Sequence, residues 1–303
     1  DTLSILLRHL FGTDTGTSVS VAFEQIVWQI RMPRIILGFL AGSGLALCGC
    51  VMQAVVQNPM ADPYILGVSA GATLGATGSL FLGLGVISGF WAFVGAGGAC
   101  FLVLALSSAD GKTTSVKLIL SGMIVNALLT AFSNFIIAVA GDSDGMMSIK
   151  FWTMGSLSGS TYQNAAVLAG ALLICGTVIL LHAQILNAFA VGEDNARQIG
   201  VDVKRAKLVL LIMVSMLIGV CVSIGGTIGF VGLVTPHMAR MLVGPNHKRL
   251  LPAAMFGGAV FLMLADLIAR ILLNPLELPI GVVTSFVGAI VFVVIFYQSR
   301  KEH

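Results

Sequence analysis

The sequence predicts an all-α polytopic membrane protein, a single domain over residues 1–303. Three observations carry that prediction. Hydrophobic residues make up 57% of the chain and charged residues only 10%, against roughly 25% charged in a soluble domain. Apolar runs near the roughly 20 residues that a bilayer requires recur along the whole length. The 36 glycines are scattered through those runs rather than gathered in linkers, as where membrane helices approach closely.

Taken in order, residues 1–29 are mixed and weakly amphipathic, with a Gly/Thr/Ser turn over 12–20 and no signal-peptide apolar core. Residues 1–34 are read as a segment outside the membrane. Nine apolar runs follow, at 35–55, 64–82, 86–106, 115–140, 165–185, 208–223, 227–243, 250–273 and 280–297. The seventh is the weakest, because Pro236, His237 and Arg240 interrupt it. Glycines four residues apart, Gly38/Gly42 and Gly67/Gly71/Gly75, offer faces for tight helix packing. The largest ionic island runs from Leu186 to Lys207 between two apolar runs, so it is expected to stand in water, open to a soluble partner.

Nine crossings place the two ends on opposite sides. Of the sixteen Lys and Arg residues, eleven fall in one set of connections, including the Leu186–Lys207 loop and the C-terminus. Only Arg8, Arg31, Arg34, Lys150 and Arg270 fall in the other. The positive-inside rule therefore predicts a cytoplasmic C-terminus and an external Asp1.

The chemistry-bearing candidates are few. Gly111-Lys112-Thr113 has the tail of a phosphate-binding loop, but the glycine required five residues earlier is Leu106. ATP is therefore expected on another subunit. The five cysteines all lie in apolar runs, and Cys48-Gly-Cys50 lacks a second pair or histidine to complete a tetrahedral site. They read as small buried hydrophobes, with no metal and no cofactor in this chain. The five histidines are too dispersed for zinc, no nucleophile–base pair stands out, and a net charge of +3 is too small to point to nucleic acid. Asn58-Pro-Met-Ala-Asp-Pro63 makes a rigid turn that serves equally as a connector or a working element. Asp266 and Arg270, four apart, pair on one helix face. Arg31 and Arg34 are open to interfacial snorkelling.

Several stretches together resemble one family, the FecCD-type permease subunits of type II ATP-binding-cassette importers for iron-siderophores, haem and vitamin B12. They are Trp28-Gln-Ile-Arg-Met-Pro-Arg34, Gly49-Cys-Val-Met-Gln53 leading into Asn58-Pro-Met-Ala-Asp-Pro63, and Leu66-Gly-Val-Ser-Ala-Gly71. Phe151-Trp-Thr-Met-Gly155, Gly192-Glu193 with Ala196-Arg197 and Gly200, and Ile228-Gly-Phe-Val-Gly-Leu-Val-Thr-Pro-His237 follow. Leu264-Ala-Asp-Leu-Ile-Ala-Arg270 and Glu277-Leu-Pro-Ile-Gly-Val-Val-Thr284 complete the set.

The resemblance implies a ten-helix subunit, of which this chain would hold nine, the first preceding Asp1. It implies a second permease subunit, most simply a homodimer in the lipid bilayer of the cytoplasmic membrane. Two cytoplasmic ATPase subunits carrying ATP and Mg, and an external substrate-binding protein, complete the machine. By the same resemblance Gly192, Glu193, Ala196, Arg197 and Gly200 couple to the ATPase through two short helices, aided by a Glu193–Arg197 pair at i,i+4. Asn58, Met60, Ser115 and Val116 form the cytoplasmic gate, and 146–157 forms a short helix near the external mouth. Arg31, Arg34 and Arg270 receive acidic side chains of the binding protein. The cargo expected is an iron chelate, siderophore or haem, with vitamin B12 as the alternative. A secondary transporter would need buried ion-coupling carboxylates and a membrane enzyme a catalytic cluster; neither is visible.

Overall fold

The computed structural model describes residues 21–84, 88–108, 114–140 and 143–299. Gly111, Lys112, Thr113 and Arg8 lie outside them, as does most of the segment read as non-membranous. The described part of that segment is helical: α1 runs unbroken from Val21 to Val56, with a π-helical stretch at Ile26–Arg31. Pro33 has no N–H to offer the preceding turn, and the wider winding just before it absorbs the mismatch. Arg31 and Arg34 therefore belong to the first helix rather than to a tail ahead of it.

Helices α2 (Val68–Phe81), α3 (Ser88–Ser107), α4 (Ser115–Ala140) and α5 (Ser143–Thr153) follow. A 3₁₀ turn at Pro63–Leu66 precedes α2, its first turn capped by Asp62, which accepts the Tyr64 N–H at 2.7 Å. Next come α6 (Tyr162–Leu181), α7 (Ala183–Val191) and α8 (Glu193–Gln198). The last four are α9 (Val203–Gly225), α10 (Val231–Val243), α11 (His247–Ile271) and α12 (Ile280–Ser299). Each apolar run has its helix, and six of the described helices are long and apolar enough to cross a membrane, so the described residues alone do not establish the expected nine crossings. Helices α2 and α10 have 14 and 13 residues, about 20 Å of rise. Sequence hydropathy adds their non-helical flanks to the run and so overstates them. The run at 165–185 ends as a spanning helix at Leu181, where the chain turns at His182 into α7.

Helices α1 and α11 form the antiparallel centre of the fold. They touch through glycines: a Cβ on Gly42 would lie 2.2 Å from the Gly258 carbonyl oxygen, and one on Gly258 2.3 Å from that of Gly42. Gly71 and Gly75 bring α2 equally close to Gly95 and Trp91 of α3. Gly67 does not pack in this way; its φ of +69° forms the left-handed entry to α2. On α10, Pro236 has no N–H to bond the Gly232 carbonyl. That oxygen instead faces Gly49, where a Cβ would come within 1.8 Å. The five cysteines are buried and free, and no metal-binding cluster occurs among the described residues.

Candidate functional site

Two polar clusters mark opposite ends of the α1–α11 pair. Arg34 and Gln53 on α1 are 19 residues apart, as are His247 and Asp266 on α11, so the clusters stand about 28 Å apart along the axis. At the Arg34 end, the Arg34 guanidinium meets Asp266 at 2.9 Å and Glu277 at 3.0 Å. Arg270 approaches the other Asp266 oxygen at 3.2 Å, the pairing expected from their spacing. Arg34 is 7% exposed, so it does not stand free beside Arg31 and Arg270 as the sequence led us to expect. Two arginines share Asp266, and Glu277 supplies the second negative charge, which lets the cluster stay ionised away from water. Arg31 remains exposed, over the Phe23 ring at 5.8 Å.

The other end gathers the end of α1, the start of α4, helices α7 and α8, and the adjoining ends of α9, α10 and α11. Gly192 separates α7 from α8 with φ +135° and ψ 145°, a backbone region kept almost entirely for glycine. Helix α8 closes in a Schellman motif: Gly200, φ +87°, donates to the Arg197 carbonyl at 3.0 Å and Val201 to that of Ala196, also at 3.0 Å. Ala196 is buried. The expected Glu193–Arg197 pair is not the one formed. Arg197 meets Asp194 at 3.7 Å, a loose exposed contact, while Glu193 turns inward and binds Lys207 of α9. Lys207 is 4% exposed. Asn187 on α7 accepts hydrogen bonds from the backbone N–H and the Nδ1 of His247, each 2.8 Å, and donates to Asn246 at 3.2 Å. The short helices are thereby tied to the first residues of both α9 and α11. Gln53 adds a link between α1 and α10, accepting from Arg240 at 3.0 Å and donating to the Leu233 carbonyl at 3.2 Å.

At the same end lies the 57–62 turn. Gln57 adopts a left-handed conformation, φ +57°, and the Asn58 carboxamide accepts the Met60 N–H at 2.9 Å. Met60 is left 49% exposed. The Ser115 hydroxyl lies 3.5 Å from the Val55 carbonyl, just ahead of this turn, and Val116 is exposed. Beyond the turn opens a cavity of about 1050 Å³ whose lining includes Tyr64, Gly122, Met154, Phe230 and Phe286. Among the described residues, Asp62 is the only charged one lining it. Burial pushes the Asp62 carboxyl above its ordinary range, although its bond to the Tyr64 N–H opposes the shift.

A family model described as the FecCD transport family matches residues 2–298. The chain belongs to the FecCD transport family. It is 40% identical over 298 residues to an ABC transporter permease, YvrB of Bacillus subtilis, covering 96% of this chain and 84% of that one. It is also 40% identical over 268 residues to the cobalamin import permease BtuC of Halobacterium salinarum, covering 88% and 72%. The hemin permease HmuU of Yersinia pestis is 34% identical, with 99% and 90% covered. A solved inward-facing structure, assigned to the metal-chelate type of ABC transporter, superposes with a TM-score of 0.86 at 31% identity, covering 98% and 97%.

As a FecCD permease of an ABC importer, the protein is a multi-pass component of the cell membrane, and ATP hydrolysis belongs to a separate subunit. Several partners in this FecCD chain are not legible in the sequence, among them Asp266 and Glu277 for Arg34, Lys207 for Glu193, and His247 for Asn187. Lys207 and Glu277 were visible as charges inside recognised stretches. Their partners lie 14 and 243 residues away in sequence, beyond any helical spacing rule.

Proposed function

We propose that this chain is the permease subunit of an ATP-driven importer that carries a metal chelate across the cytoplasmic membrane. The observation that carries the cargo class is the cavity of about 1050 Å³, lined mostly by apolar groups and with no cation among its described lining residues. Such a chamber suits a bulky chelate and holds no countercharge for a small oxyanion. A weakly interacting wall also lets the cargo leave, which transport requires. An iron chelate, siderophore or haem, is the first reading. Cobalamin is the second, favoured by the relative 40% identical over 268 residues that bears that name.

In this reading α7 and α8 lie in the cytoplasm and receive the ATPase through Gly192, Glu193, Ala196, Arg197 and Gly200. The C-terminus lies on the same side. A second copy of the chain completes the path, with Asn58, Met60, Ser115 and Val116 at its inner gate. Arg31 and Arg270 face outward toward the binding protein, with Arg34 anchoring the surface beneath them. The test is uptake by proteoliposomes holding the permease with its ATPase and binding protein, offered ferric hydroxamate, haem or cyanocobalamin. Vanadate-sensitive accumulation of one of these supports the reading. Uptake that ignores vanadate and follows an ion gradient would return the protein to the secondary-transporter class.

A further inference from the structure

On α4, Asn126, Thr130 and Asn134 follow one another at i, i+4 and i+8, and all three are exposed. That spacing holds them within about 80° of one face. Ile124, Leu128 and Phe135, also exposed, occupy the opposite face. Bare amides against hydrocarbon are costly, so the Asn126–Asn134 face is not the lipid face. The fold provides another surrounding for it. A cavity of about 400 Å³ is lined by these three side chains, by Ser69 and Thr73 from α2, and by Lys150 from α5. Lys150 is its only charged lining residue among those described. Ser69 and Asn126 also line the larger cavity, so the two spaces adjoin. Among the described residues, the smaller is lined by hydroxyls, amides and one ammonium, and the larger is mostly apolar with no cation. Their sequence along α4 forms a polarity gradient leading inward from Lys150.

We propose that the amide face of α4 and Lys150 form a hydrated recognition groove for the anionic, hydrogen-bonding rim of the cargo. Resting on the permease reading above, this narrows the cargo to chelates that carry carboxylate groups, beside amides, at their edge. Lys150 draws the anionic edge in, the amides and hydroxyls replace its hydration shell, and the apolar body then enters the larger chamber. Selection is thus shared between the external binding protein and the permease itself.

The test is cysteine accessibility in the intact permease reconstituted in proteoliposomes, with anionic sulfonatoethyl and cationic trimethylammonioethyl methanethiosulfonate as probes. The five native cysteines are buried, so the parent protein serves as the blank. Asn126→Cys and Asn134→Cys are expected to react about tenfold faster than Phe135→Cys with either reagent. At Asn134→Cys the anionic reagent gains about threefold over the cationic one at low salt, Lys150→Gln removes that gain, and Lys150→Arg keeps it. Labelling at both asparagine positions no faster than at Phe135→Cys, or a reagent ratio indifferent to Lys150→Gln, overturns the proposal. Neither rate needs ATP. A failed vanadate experiment therefore leaves the groove standing, and a failed labelling experiment leaves ATP-driven transport standing.

Discussion

Arg34 and Asp266 stand 232 residues apart in the chain and 2.9 Å apart in the fold. Their side chains are 8% and 6% exposed, and the contact fastens one end of α1 to the end of α11. Arg270 and Glu277 complete the charge balance around it. Removing one partner strands a buried charge, which typically costs about 3–5 kcal/mol. Asp266→Ala should therefore lower the thermal unfolding midpoint of the detergent-solubilised permease far more than Glu277→Ala, whose side chain is 46% exposed. Equal shifts for the two variants would contradict a buried pair at this position.

Glycine at the helix crossings makes a steric prediction. Gly49→Ala drives a methyl against the Gly232 carbonyl at 1.8 Å, so α1 and α10 must separate, at about 1–3 kcal/mol or more. Gly170→Ala meets nothing within 4 Å and should be neutral or stabilising by up to about 1 kcal/mol. Unfolding midpoints of the two variants, measured side by side, check the contrast.

The short helices should transmit rather than merely fold. Gly192 adopts φ +135°, so Gly192→Val displaces α8 from α7 without touching the membrane core. Lys207→Met leaves the Glu193 carboxylate without its cation. Both variants are expected to keep the permease folded while lowering cargo moved per ATP hydrolysed. Exchange of the charges, Glu193→Lys with Lys207→Glu, should recover part of the ratio. Full coupling in Gly192→Val would remove α7 and α8 from the transmission path.

At the inner gate the four residues differ in what they can report. The Asn58 side chain holds its own turn and Ser115 sits against Val55, so cysteines there disturb packing. Met60 and Val116 are 49% and 65% exposed. Met60→Cys and Val116→Cys should crosslink between permease copies in the nucleotide state that closes the inner mouth, and not in the open one. Crosslinking that never occurs in any state would place both residues away from the dimer axis.

Docking of the binding protein separates the three arginines. Exposed ion pairs contribute only about 0–1 kcal/mol each, so Arg31→Glu should slow association and reduce its salt dependence more than it weakens the complex. Arg34→Glu faces Asp266 and Glu277 internally and should destabilise the permease itself. Association rates against ionic strength, paired with unfolding midpoints, distinguish the two outcomes. Unchanged docking in Arg31→Glu at low salt would assign Arg31 to the membrane interface.

The sequence by itself determined the class and the family. Apolar runs set by the bilayer, the lysine and arginine bias of the loops, and motifs spread along the chain are all local in sequence, and each could be read without knowing what lies beside it. The same locality made the Asp266–Arg270 pair legible as i,i+4. Only the tertiary structure decided that Arg34 is an internal tie rather than a free docking cation, and that Glu193 answers to Lys207 rather than Arg197. It also decided that Gly67 caps a helix while Gly71 packs one, and that two of the nine runs hold helices of 13 and 14 residues. The reason is physical. Hydropathy sums apolar residues whether they are wound or not, and a charge chooses its partner by distance through space in a low-dielectric interior. Chain separations of 180 to 243 residues leave no trace in any local pattern until α1, α10 and α11 are packed together.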